Sequence, residues 1–423
     1  MELDINSYFE DKKMSIPFCS PDISDLEIQE VVEVLKSGWI TTGPKTKKLE
    51  GLLADYLGTG KVICLNSQTA CGELSLRLMG IGASAGGSAD DEVICAAYTY
   101  TASASVINHV GAKIVLIDSQ KDSLEMDYDA MEAAINEHTK AIIPVDIGGV
   151  PCDYEKIMEI VERKKPLFRP CGEMQEALGR VAVIADSAHA LGASVRMGGR
   201  NIMLGAAADI TSFSFHAVKN FTTGEGGALT WNMEGVDNQA VYHKLQLLSL
   251  HGQSRDAFTK NLIGDWEYDV IGPWYKFNMT DIMAGIGLAQ LSRYPEMLKK
   301  RRELIEKYNA ALVPLGLEVL DHYNDEHTSS GHLYICRVPG IGEEERNMII
   351  YKMAQAGIAC NVHFKPLPLL TAYRNMGFDI NDYSNAYDLF KNEITLPLYS
   401  KLQEIEANYI INTFSKIVKE YIK

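Results

Sequence analysis

The sequence predicts an α/β protein: a large domain with a mostly parallel central sheet flanked by helices, then a smaller C-terminal α+β domain. Three observations lead there. Between residues 61 and 231 short apolar strands alternate with helical segments, the rhythm of βαβ units. Two of these strands, Val181 to Asp186 and Ile210 to Phe215, are apolar enough to be covered, and each leads into residues that carry chemistry. After a long helical segment opening near Asp281, residues 331 to 421 form a second group of strands and helices. A chain of 423 residues can build both cores. The expected division is an arm at 1–20, a large domain at 21–295, and a small domain at 296–423 that includes the connecting helix.

In chain order, residues 1 to 20 read as a polar arm. Ile23, Leu26, Ile28, Val31, Val32 and Leu35 then follow a helical period up to Ser37-Gly38, with Ser24 and Asp25 as capping candidates. Lys61 to Asn66 is a strand and Thr69 to Met79 a helix. Gly, Ala and Ser dominate 81–90, a flexible surface excursion before the strand Asp91 to Ala96. Strands Lys113 to Asp118 and Ala141 to Ile147 alternate with helices Tyr128 to Ile135 and Tyr154 to Arg163. Residues 164–179 interrupt the rhythm as a surface insertion. Thr280 or Asp281 caps the long helix, which runs to about Leu312. The small domain is read as strands Gly331 to Val338 and Ile358 to His363 with helix Glu343 to Ala356 between them, closed by helix Glu404 to Tyr421.

Chemistry concentrates at two of these strand ends. Asp186 closes an apolar strand, at the carboxyl edge where open α/β sheets bind ligands. His189 follows three residues on, and Lys219 comes 33 residues after Asp186. Lys219 stands in Thr211-Ser-Phe-Ser-Phe-His-Ala-Val-Lys-Asn-Phe-Thr-Thr-Gly-Glu-Gly-Gly227, where Gly224, Gly226 and Gly227 allow a tight turn and a close backbone approach. A lysine for a covalent link and a carboxylate for a ring nitrogen are what pyridoxal 5'-phosphate needs. Ser67-Gln-Thr-Ala70 offers backbone N–H groups at a helix start, suited to a phosphate or to plain N-capping by Ser67 or Thr69.

Asp186-Ser-Ala-His189 and the segment around Lys219 resemble the DegT-type nucleotide-sugar aminotransferases, among the fold-type-I pyridoxal phosphate enzymes. Ser37 to Pro44, Pro144 to Asp153, Tyr275 to Asp281 and Asn361 to Leu367 also resemble signatures of that family, so the likeness spans nearly the whole chain. It implies a transaminase in which Lys219 carries the cofactor and moves protons while Asp186 holds the ring nitrogen. His189 falls at the position near the phenolic oxygen, with a structural histidine as the other reading. Thr69, Ala70 and Ser214 match phosphate contacts, and Tyr100 matches an aromatic over the ring. Asn278 matches a residue that reaches the partner's cofactor phosphate across a homodimer with shared sites. Thr42, Lys276 and His363 are the substrate candidates, with Lys276 the cation nearest a sugar-nucleotide diphosphate.

The resemblance further implies glutamate as amino donor and a nucleotide-diphosphate keto-deoxysugar as acceptor, aminated at C4, in surface polysaccharide or glycan synthesis. Amination of a 3-keto sugar or a keto-cyclitol is the alternative, and a non-catalytic cofactor-binding regulator the remote one. A dehydrating branch of the family carries histidine where Lys219 stands, and the first 20 residues offer no DNA-binding domain. The net charge of -16 argues against nucleic acid. Eight cysteines without a CxxC pair or zinc spacing imply reduced thiols, no metal and a cytoplasmic setting. Met1 to Ser7 has neither a basic start nor an apolar run, so no membrane or secretory segment is expected.

Overall fold

The computed structural model describes residues 14–254 and 267–422. Its strands are β1 (Val62–Leu65), β2 (Glu92–Ala96), β3 (Lys113–Ile117), β4 (Thr139–Ile143), β5 (Ala182–Asp186), β6 (Ser194–Met197), β7 (Arg200–Met203), β8 (Ile210–Ser214) and β9 (Gly227–Trp231), then β10 (Glu318–Val319), β11 (His327–Thr328), β12 (Tyr334–Arg337) and β13 (Glu393–Leu396). Seven of them form the central sheet in the order β1-β9-β8-β5-β4-β2-β3. The pairs β8–β5, β5–β4, β4–β2 and β2–β3 are parallel, while β9 runs antiparallel to both β8 and β1. Every strand of this sheet except β9 therefore ends at the same edge. That edge collects Ser67, Tyr100, Asp186 and Ser214.

Helices α1 (Asp25–Ser37), α2 (Pro44–Leu57), α3 (Gln68–Leu78), α4 (Thr101–His109), α5 (Tyr128–Ala134), α6 (Tyr154–Lys164), α7 (Glu173–Leu178) and α8 (Asn238–Ser249) accompany this sheet. The capping reading of α1 holds: Ser24 and Glu27 form a reciprocal box, and Gly38 ends the helix with φ 73°. Its apolar residues are not buried, however. Leu26, Ile28, Val32 and Leu35 are all exposed on a single chain, and only Val34 and Glu27 are covered.

Helix α9 (Asp281–Leu312), capped by Thr280, joins two cores. Its first half packs Leu288 and Tyr294 against Phe213 and Phe221; its second half packs Leu304, Ile305 and Tyr308 against Tyr334 and Ile394. The 295/296 line expected between domains falls inside it, at Pro295. The second core belongs to the sheet β10-β12-β13 and to α10 (Glu343–Gln355), with α11 (Thr371–Asn375), α12 (Ser384–Lys391) and α13 (Glu404–Val418) completing the helices.

Several segments differ from the sequence reading. Ile358 to His363 is not a regular strand: it makes single bridges at Ile358 and Asn361, and the strand beside β12 is β13. The end of the supposed arm is not free, since Ile16 is buried in the second core and pairs with Gly357 and Ala359. The 81–90 excursion is stitched down by bonds from Ala83 and Ser84 to Gly111 and Val110 and by Asp91 accepting from Gly82 and Ser88. Within 164–179, Gln175 is buried and donates to the Met79 carbonyl, away from the carboxyl edge. Met1 to Ser7 lie outside the described residues.

Candidate active site

A cavity of about 390 Å³ lies at the carboxyl edge of the sheet. Lys219, Asp186, His189, Thr69, Tyr100, Ser214 and His363 all line it. No residue of 164–179 does so.

Asp186 reaches it as the last residue of β5, with 5% of its surface exposed. Ser103 Oγ donates to its Oδ2 at 2.6 Å, and the Ala188 N–H to its Oδ1 at 3.2 Å. Burial raises its pKa above the ordinary carboxylate value; the Ser103 and Ala188 donors and the nearby Lys219 amine pull it back. Lys219 sits where the chain leaves β8 and turns toward β9. The turn is pinned because Thr222 Oγ1 and the Thr223 N–H both bond the Phe215 carbonyl. Gly226 carries φ 152°, and a side chain there would stand 2.3 Å from Thr223 Oγ1. The glycine therefore closes the turn that presents Lys219. Enclosure lowers the amine to about 8, against the opposing pull of Asp186 and Cys19. A neutral amine is accordingly available near neutral pH, as a nucleophile or proton acceptor requires.

His189 is buried and tilted against His332, with ring centroids 4.4 Å apart. Its Nδ1 accepts the Gly148 N–H at 3.1 Å, which puts the ring proton on Nε2. Burial first, then the charges of Lys219 and His363, hold its pKa well below the usual value, so it acts as a neutral donor. Gly227 lets the start of α3 press on β9, since a Cβ there would lie 2.6 Å from the Gln68 nitrogen. Ser67 is the N-cap of α3, taking the Ala70 N–H at 3.1 Å. The capping reading is thus realised, and Ala70 spends its N–H on it; Thr69 still faces the cavity. Tyr100 is 59% exposed at the rim.

Besides Ala70, three of the sequence candidates are absent from the cavity lining. Asn278 Nδ2 donates to Thr42 Oγ1 at 2.6 Å, and Thr42 in turn donates to the Met279 carbonyl at 2.5 Å. Lys276 Nζ donates to Asn278 Oδ1. These residues flank β1, where Asn278 bridges Leu65, and none of them lines the cavity of its own chain.

Sequence reading missed Ser103, Asp146, Phe18, Cys19, His332 and Phe364, all of which line the cavity. One signal was available: Thr99 and Ser103 are four apart at a helix start, and their hydroxyls meet at 3.0 Å. Nothing in the sequence announces that His332 packs on His189 or that residues 18 and 19 return to the site. Asp146 is fully buried, accepts from Ser187 Oγ at 2.5 Å and from the Tyr154 hydroxyl, and is lifted by burial to about 7.

The donor set fits pyridoxal 5'-phosphate. A lowered lysine amine and a supported carboxylate face one cavity, with a helix N-terminus, the Ser214 hydroxyl and an aromatic at its rim. Together with the sheet topology, this arrangement defines a pyridoxal phosphate-dependent aminotransferase. The chain belongs to the DegT/DnrJ/EryC1/StrS aminotransferase family, whose model matches residues 21–415. It is similar to Spr1654 of Streptococcus pneumoniae, a protein assigned as a sugar aminotransferase and solved in its PLP, PMP and apo forms. In the PMP form the identity is 51%, with 96% of this chain and 98% of that one covered and a TM-score of 0.90. It is also 38% identical to the uncharacterized protein MJ1066 of Methanocaldococcus jannaschii, covering 96% of this chain and 98% of that one. The spore coat polysaccharide biosynthesis protein SpsC of Bacillus subtilis is 34% identical, over 96% and 97%. Among the described residues no helix is long and apolar enough to cross a membrane.

Proposed function

We propose that this aminotransferase moves the amino group of L-glutamate to C4 of a nucleotide-diphosphate keto-deoxysugar, supplying an amino sugar for surface polysaccharide or glycan. The observation that carries the reading is the single cavity shared by the Lys219 amine and the Asp186 carboxylate. The sugar acceptor is suggested by the assignment of Spr1654, and the polysaccharide setting by the name of SpsC.

The bound cofactor supplies an electron sink for a carbanion. Around it, each residue of the chain has a task. Lys219 would hold the cofactor through Nζ, and the same amine, when free, would take up and return a proton. Asp186, held by Ser103 and the Ala188 N–H, keeps the ring nitrogen protonated. His189 donates from Nε2 toward the phenolic oxygen. Thr69 and Ser214 hold the phosphate, Ala70 being committed to the Ser67 cap, and Tyr100 covers one face of the ring against water. His363 meets the sugar.

Asn278, Thr42 and Lys276 act across a homodimer, Asn278 toward the partner's phosphate site and the other two toward the partner's substrate. The exposed apolar stripe of α1 supports an interface, because monomers seldom leave such a patch open. The domain division at 295/296 and a cytoplasmic setting belong to the same reading.

The test is to add glutamate to the yellow holoenzyme, follow the cofactor spectrum, then add nucleotide-linked 4-keto and 3-keto sugars and keto-cyclitols in turn. Bleaching by glutamate and recovery with a 4-keto sugar are expected, the product amine being placed by NMR. Recovery with only a 3-keto sugar or a cyclitol would move the acceptor, and a spectrum unmoved by any amine would end the transaminase reading.

A further inference from the structure

His363 lines the cavity with its ring stacked on Phe18, centroids 5.4 Å apart. One edge of the ring is committed. Nδ1 lies 3.0 Å from Thr395 Oγ1, and that hydroxyl lies 2.5 Å from Glu393 Oε1. The other carboxyl oxygen of Glu393 accepts the His363 backbone N–H at 2.9 Å. Thr395 and Glu393 are completely buried, both on β13. His363 Nε2 has no hydrogen-bond partner among the described residues, and it is the edge left for the cavity.

A hydroxyl owns one proton, so this chain of groups can be polarised in only two ways. With Glu393 ionised, Thr395 donates to Oε1, its oxygen accepts the Nδ1 proton, and Nε2 is left as an acceptor. With a proton on Oε1, the acid donates to Thr395, whose hydrogen turns to Nδ1, and the imidazole proton moves to Nε2. The two states differ by one proton, held on Glu393, and the ring is neutral in both.

We propose that Glu393, acting through Thr395, is a positioning residue that sets whether the cavity-facing nitrogen of His363 accepts or donates a hydrogen bond to the substrate. Its surroundings suit the role. The Arg346 guanidinium acts on Glu393, whose own charge bears on the Tyr98 hydroxyl and the Cys336 and Cys360 thiols, and Arg337, opposite it on β12, bonds Glu318 instead. Burial outweighs the Thr395 and His363 donors and Arg346, lifting the acid to about 8. Enclosure and the Lys219 charge hold His363 down to about 3; His189 and His332, which also face it, are themselves neutral. The exchange therefore falls within the pH range of ordinary assays. That the ligand is a sugar rests on the function proposed above; the coupling of Glu393 to the ring does not.

The test uses holoenzyme labelled with 15N-histidine, the His363 signals being assigned by their loss in His363→Asn. In the wild type, Nε2 should pass from protonated to unprotonated between pH 6.5 and 9.5, as roughly brackets the value above. In Glu393→Gln the amide oxygen must take the His363 N–H, so the NH₂ faces Thr395 and locks Nε2 as a donor at every pH. Thr395→Val should uncouple the ring from pH, and Thr395→Ser should restore the titration. A wild-type tautomer that does not change, or one that still titrates in Glu393→Gln, overturns the proposal. Alongside, KM for the keto-sugar should shift about fivefold to tenfold over the same range in the wild type and stay flat in Glu393→Gln, as expected for one neutral hydrogen bond. A titrating tautomer with a flat KM overturns the role in substrate recognition. An enzyme that aminates no keto-sugar refutes the function proposed above, while the NMR titration still decides the coupling.

Discussion

At one end of the cavity, Asp186 and Ser214 project from neighbouring parallel strands, and Lys219 follows on a turn fixed by bonds back to Phe215. On the other side, Phe18, His363 and Phe364 come from segments that belong to no regular element; His363 is tied to β13 through Thr395, with Phe18 and Phe364 packed on its ring. The first end is held by a ladder whose register leaves no freedom at Asp186. The second depends on side-chain stacking and on a few long-range bonds, such as Tyr98 to the His363 carbonyl at 2.9 Å. A reaction shared by a whole family needs the first kind of construction, while the choice of acceptor can be carried by the second.

The sharpest break between the two ends is Lys219→Ala. It should remove the covalent cofactor absorbance and lower turnover by at least roughly 10³-fold to 10⁴-fold, the upper range for a lost proton-transfer group. Glutamate-driven conversion at anything near the wild-type rate would mean that another group moves the proton, and the sheet end would lose its claim to the chemistry.

Each end also hides one buried acid, Asp146 behind Asp186 and Glu393 behind His363. Both hold their protons more tightly in the folded chain than in the unfolded one, at about 7 against 3.8 and about 8 against 4.5. An acid raised in this way contributes stability that is whole below the unfolded value and lost as pH rises through the folded one. Stability should therefore fall between about pH 4 and 8, by at most about 1.4 kcal/mol per pH unit for each acid. Asp146→Asn and Glu393→Gln should each flatten part of that slope, read as denaturation midpoints at pH 5, 6.5 and 8. Variants that run parallel to the wild type would show that the acid they replace is ionised throughout.

Ser103→Ala tests the sheet end more gently. It strips one donor from Asp186 and leaves the strand intact, so turnover should fall about tenfold to a hundredfold, the range for a hydrogen bond to a charged group. The acceptor KM should not move. An effect confined to KM would place Ser103 with the substrate instead.

The difference in construction also explains what the sequence disclosed. Strand alternation, glycines and the spacing from Asp186 to Lys219 are local signals, and β5 and β8 came out close to where they were read. Helices α2, α4, α7, α8, α11 and α12 went unread, and so did strands β10 and β13 and the β6–β7 hairpin with its strand β11. α2 starts at Pro44, where Gly43-Pro44 looks like the end of a loop although proline is well placed in a first helical turn. The strand expected at Ile358 to His363 failed for a tertiary reason, because β13 takes the place beside β12. Phe18 meets His363 across some 345 residues, and no periodicity encodes such a contact. The apolar period of α1 was legible, but a period cannot say whether its stripe faces a core or another molecule.

The smallest effect belongs to the loosely built end. Phe18 is half-buried and stacked at 26° on His363, in a segment anchored by Ile16. Phe18→Ala removes that stacking partner and leaves the Thr395 bond and the edge contact with Phe364 to steer the ring. A stacked pair contributes about 0.5–1.5 kcal/mol beyond its buried area, so KM for the acceptor should rise about threefold to tenfold. The cofactor spectrum and its response to the amino donor should not change, because no hydrogen bond or ring contact joins Phe18 to Lys219 or Asp186 among the described residues. A variant with an altered spectrum and an unaltered acceptor KM would reverse the assignment: the segment at residues 16–19 would then belong with the sheet edge, and acceptor choice would have to be sought in the Thr42–Asn278 cluster.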